Sequence, residues 1–137
     1  MKNPYETDSR FNDLDRALAE AVEALPALAE AVHANAVEKG FQDPPQDIAT
    51  MSLNTIGEVC EHWEAFRKKK LDAPCDKTEG MMELFGETLT NEEEEVADQL
   101  IRVLDIARRF KVDIVKAVRI KHGYNRTRSF RHGNKCA

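Results

Sequence analysis

A chain of 137 residues, 42% hydrophobic and 33% charged, has room for one domain around one modest core, with charged helix faces in water. Its opening stretch carries Asp8, Arg10, Asp13, Asp15 and Arg16 where a secretory leader needs an apolar run. Nothing later reaches the roughly eighteen unbroken apolar residues of a membrane span, so a cytoplasmic protein is expected. Cys60, Cys75 and Cys136 form an odd set without a CxxC pair, which argues against a zinc site or disulfide framework and for free thiols.

The net charge of -5 conceals an asymmetry. Between Arg108 and Lys135 stand ten lysines and arginines against one acid, Asp113, whereas acids gather at Glu58, Glu61 and Glu64 and at Glu92 to Glu95. A basic end can serve a nucleic acid. It can equally meet a polyphosphate whose cation is held by the carboxylates.

In chain order, apolar residues recur at helical spacing and strand-like alternation is absent. A first helix is predicted from about Phe11, carrying Leu14, Leu18, Val22 and Leu25, and Pro26 is expected to end or kink it. The pattern resumes through Leu28, Val32 and Ala36, with Gly40 as its stop. The prolines of "FQDPPQD" mark a turn. A second strong helix is predicted over 47–69, its apolar stripe formed by Ile56, Val59, Cys60 and Trp63. A long connection follows, with a short helix near 81–85. Thr90 with Glu93 three residues on makes a capping box for a helix over 91–110, whose apolar face holds Val96, Leu100, Val103, Leu104 and Ala107. Asp113 caps a last helix carrying Ile114, Val118 and Lys121. From Arg126 the chain reads as irregular. The fold class is all-α, a four-helix-bundle-like arrangement.

Two acidic pairs carry the chemistry: Glu58 with Glu61, and Glu95 with Asp98. Helical residues three apart have β-carbons roughly 5–6 Å apart, so each pair can converge on one cation. Magnesium takes hard oxygen ligands and retains positions for water and phosphate oxygens. The same acids lie opposite apolar stripes, as on any solvated amphipathic helix, and Arg102 one turn beyond Asp98 fits a surface partner. Trp63 could stack on a base, but its place on the apolar stripe suits a packed core tryptophan. Glu94 reads as a solvated neighbour of Glu95, and His62 supports no dyad. Gly57 and Gly86 are isolated, so no glycine-rich phosphate loop is present, nor is there a covalent nucleophile motif.

The segments "LAEAVHANAVEKGFQDPPQDIATMSLNTIGEVCEHWEAFRKKK", "EEEVADQLIRVLDIARRFKVDIVKAV" and "KHGYNRTRSFRHGNK" together resemble the MazG-like nucleoside triphosphate pyrophosphohydrolases, from about Leu28 to Lys135. The resemblance implies an all-α domain over 27–137 with a basic tail, preceded by a helical extension over 1–26. It implies Glu58, Glu61, Glu95 and Asp98 as magnesium ligands, with manganese as a substitute. Lys121, Asn125, Arg128 and Lys135 would contact a nucleoside triphosphate, joined by Arg131 and His132, and Tyr124 could stack on a base. Glu61 and Glu64 are the candidate catalytic bases. One bundle this small is expected to leave its carboxylate faces pointing outward until another subunit covers them, so a homodimer or dimer-of-dimers tetramer is implied. The interval from Glu61 to Glu95 exceeds the family's usual spacing. A phosphoribosyl-ATP pyrophosphohydrolase is the nearest alternative enzyme. A catalytically silent helical protein whose basic end touches nucleic acid is the alternative outside enzymes.

Overall fold

The computed structural model describes residues 9–129 and is all-helical: α1 (Ser9–Glu38), α2 (Ile48–Arg67), α3 (Thr78–Phe85), α4 (Asn91–Arg109) and α5 (Ile114–Thr127). Among the described residues there is no strand, only an antiparallel bridge between Pro74 and Thr90. No helix there is long and apolar enough to cross a membrane. Helix α4 is the hub, packed against α1 and α2, while α5 packs on α1.

The helix boundaries follow local chemistry. The Asp47 side chain accepts the Thr50 amide at 2.7 Å to start α2. Thr90 and Glu93 form the complete capping box of α4, and Asp113 caps α5 by accepting the Lys116 amide. Gly40, at φ 81°, ends α1 in the left-handed region, where a residue without a β-carbon is unstrained.

Pro26 does not end the first helix. Helix α1 runs continuously from Ser9 to Glu38 with Pro26 inside it. The proline forgoes one amide hydrogen bond, but it stands in an alanine-rich segment (Ala17, Ala19, Ala21, Ala24, Ala27, Ala29 and Ala31) of the strongest helix former. The expected junction between extension and domain therefore falls within one helix, and Leu18, upstream of it, is buried.

The core sits where α1 meets α4 and α5, around Leu18, Ala29, Leu104, Ala107 and Val115. Beside it a polar knot ties α1 to α4. Asp105, 6% exposed, engages His33 Nδ1 at 2.6 Å and accepts from Gln42 Nε2 at 3.2 Å. Such pairing satisfies a carboxylate that burial alone would penalise.

The long connection after α2 closes on itself. The Cys75 amide donates to the Leu89 carbonyl at 3.0 Å, the Asn91 amide to Ala73 at 2.9 Å and the Glu92 amide to Leu71 at 3.1 Å. The Asn91 side chain adds a bond to the Lys70 carbonyl at 2.8 Å. This neck brings the end of α2 to the start of α4 whatever the length between. Helix α3 hangs outside it with no buried residue; Leu84 and Phe85 are each 76% exposed.

Candidate functional site

Helices α2 and α4 meet through their polar faces. Glu58, at 9% exposure, is buried between them, and Glu94 on α4 is buried at 6%. The residues expected to form the α2 apolar stripe face outward instead: Ile56 and Val59 are exposed, as is Cys60, and Trp63 is 60% exposed, stacked on Phe66 with ring centroids 5.2 Å apart. On α4, Val96, Leu100 and Val103 are exposed too, while Leu104 and Ala107 are buried. The expectation of outward carboxylates and a core tryptophan is thus reversed. A helix with one apolar and one acidic face can turn either inward, and here contacts specific to the acidic face hold it in.

Those contacts are polar. Arg102 Nε donates to Glu58 Oε1 at 2.7 Å, so its hydrogen bond goes to the facing helix and not to Asp98. His62 and Gln99 share a hydrogen bond of 3.2 Å. Lys77, from the connection, hydrogen-bonds Glu94, which is therefore no solvated neighbour. That bond raises the lysine's affinity for its proton and keeps it charged.

One carboxylate oxygen from each of Glu58, Glu61 and Glu95 lies within 4.8 Å of the other two. Of these residues Glu58 is buried, Glu95 half-buried and Glu61 exposed. Glu95 Oε2 is inaccessible and has no hydrogen-bond partner. Burial, then repulsion from Glu61, Glu94, Asp98 and Glu58, raises the Glu95 pKa above its ordinary value. Asp98 stands outside the triad but feels the same field. Its pKa is raised by burial and by Glu58 and Glu94, against partial relief from Lys77 and Arg102. Acids crowded this way lower their energy by protonation or by sharing a cation.

The other expected residues are placed differently. Glu64 is held by Lys68 at 3.0 Å and Arg67 at 3.3 Å, and its pKa is lowered, mainly by the Lys68 hydrogen bond, which makes it a weaker base. Lys121 is exposed on α5, its ammonium 5.9 Å from the centre of the Tyr124 ring. Asn125 lies in the last turn of α5, and Arg128 is its C-cap. Helix α5 packs on α1, and no described contact joins these three residues to the carboxylates. Lys135, Arg131 and His132 lie outside the described residues.

Two participants escaped sequence reasoning. Lys77 reaches Glu94 from seventeen positions upstream, and no local pattern encodes that pairing. Asp105 follows Leu104 on the buried side of α4; an acid beside the most buried leucine was the available signal. The chain matches no family model, no curated protein and no solved structure.

Proposed function

We propose that this chain is a magnesium-dependent nucleoside triphosphate pyrophosphohydrolase of MazG-like type. It would convert a (deoxy)nucleoside triphosphate and water to the monophosphate and pyrophosphate, cleansing the nucleotide pool. The observation that carries the reading is the convergence of Glu58, Glu61 and Glu95 from two helices around a buried Glu95 oxygen without a partner. Hard oxygen donors in this number suit magnesium or manganese, and the raised pKa values of Glu95 and Asp98 are the strain a divalent ion relieves.

Glu58, Glu61, Glu95 and Asp98 would hold the metal, which when bound supplies charge neutralisation and polarises phosphate oxygens. Arg102 fixes the Glu58 carboxylate through its 2.7 Å bond. Glu61, the exposed member of the triad, is the group best able to accept a proton from an attacking water. The outward apolar residues of α2 and α4, among them Ile56, Val59, Trp63, Val96 and Leu100, form the kind of surface that a partner covers. A second copy of the chain is our reading of that partner, as homodimer or dimer of dimers. In it, Lys121, Asn125 and Arg128 of one subunit would serve the site of another.

The test is a panel of nucleoside triphosphates, with phosphoribosyl-ATP included, assayed with magnesium for pyrophosphate as distinct from phosphate. Turnover should fall at least about 100-fold in Glu61→Gln, as loss of a general base implies, and also in Asp98→Asn. Release of no pyrophosphate from any member, alongside salt-sensitive nucleic-acid binding, would replace the enzyme with the silent binding protein.

A further inference from the structure

Glu61 and Glu95 of the acidic triad line an open cavity of about 270 Å3, and Lys68 and Lys70 are its basic wall. Glu64 and Asn91 line it as well. The volume lies just below the roughly 300–1,000 Å3 of drug-sized ligand sites and suits a small polyanion.

The basic wall is held in place by the backbone. Lys69 adopts φ 54°, a left-handed conformation that a residue with a β-carbon takes only when the surrounding structure holds it there. This reversal lets the Lys70 amide donate to the Ala65 carbonyl at 3.0 Å, so the chain folds back over the end of α2. The Lys70 carbonyl is then pinned by Asn91 Nδ2 at 2.8 Å, at the start of α4 and four residues before Glu95. Lys68 is steadied by Glu64 at 3.0 Å, and the same carboxylate meets Arg67 at 3.3 Å.

A site for a bare cation gains nothing from two lysines in its wall, because they repel the ion. A site for an anion gains nothing from three glutamates. Groups of both signs lining one space suit a ligand that is itself a pair, a divalent cation carrying a phosphate chain. We propose that Lys70 and Lys68 are the phosphate-binding residues of this site, and that Glu64 is a positioning residue that aims Lys68. This rests on the metal reading above and assigns the phosphate contacts within one chain to the end of α2, separately from Lys121, Asn125 and Arg128. Each ammonium acts as a mobile point charge, able to follow the pyrophosphate as it leaves.

Inorganic pyrophosphate titrated calorimetrically, with and without magnesium, tests the assignment in wild type, Lys68→Gln/Lys70→Gln, Glu64→Gln and Glu61→Gln. The lysine double variant should bind at least about tenfold more weakly with magnesium, and Glu64→Gln should show a smaller loss that Glu64→Asp partly restores. Wild-type affinity in the double variant would overturn the proposal. The metal is judged separately: if Glu61→Gln keeps full magnesium-dependent binding, the metal reading fails. A loss confined to the lysine variant would still support the basic wall.

Discussion

Helix α4 makes two seams, and they are built on opposite rules. Against α1 it buries Leu104 and Ala107 next to Ala29, and the buried carboxylate in that seam, Asp105, is satisfied by His33 and Gln42. Against α2 it buries Glu58 and leaves a Glu95 oxygen without a partner, while valines, leucines and the only tryptophan face out. Apolar burial is the ordinary source of stability. A seam that gives it up and crowds like charges is what the proposed metal would stabilise, and perturbed acids of this kind are candidates for a functional site.

The contrast is broken most forcefully on the α1 side. Leu104→Ala removes the most buried leucine, 2% exposed, and should cost about 2–5 kcal/mol in denaturant unfolding. Leu100→Ala, one turn earlier but exposed, should cost the subunit no more than about 0.5 kcal/mol. It should instead weaken self-association measured by sedimentation. Equal losses in both variants, with association unchanged, would erase the distinction between the faces.

A smaller effect of opposite sign is expected in the α2 seam. Glu95→Gln removes a crowded charge, so the metal-free protein should gain about 1 kcal/mol, the scale of relieving one buried unpaired group. The same change should abolish any rise in Tm that magnesium gives the wild type, since a ligand stabilises only the state that binds it. Calorimetric melting with and without the ion measures both.

The smallest effect is a pH slope. Glu95 and Asp98 have folded pKa values above their ordinary ones, so between those limits the folded state holds more protons than the unfolded chain. Metal-free stability from this pair therefore falls as pH rises from about 4 through the raised values. Glu64, Asp47 and Glu93 are shifted down and act in reverse, losing stability as pH drops. Comparison with Glu95→Gln/Asp98→Asn isolates the pair: the variant's Tm should climb more steeply over this range, and saturating magnesium should close the gap.

Where signals are local, the sequence was legible. Thr90 with Glu93, Asp113 and Gly40 act within one helical turn, and each stands where its chemistry implied. The acidic spacing likewise put Glu58 beside Glu61 on α2, while the facing of Glu95 needed both that α2 and α4 be neighbours and that their acidic faces turn inward. Which face turned inward was not legible, because amphipathicity is symmetric until a partner is specified. The deciding contacts join Arg102 to Glu58 across 44 positions and Gln99 to His62 across 37. Pro26 misled for the opposite reason: a strong local rule was outweighed by the helix-forming residues around it.

The hydrogen-bonded neck between residues 70–75 and 89–92 has a consequence for how such a protein can change. Everything beyond it, α3 included, is an interchangeable fitting that can lengthen, shorten or acquire a new docking role without disturbing the acids below. Lys77 alone would be missed, since it is the one side chain the fitting sends back through the collar to Glu94.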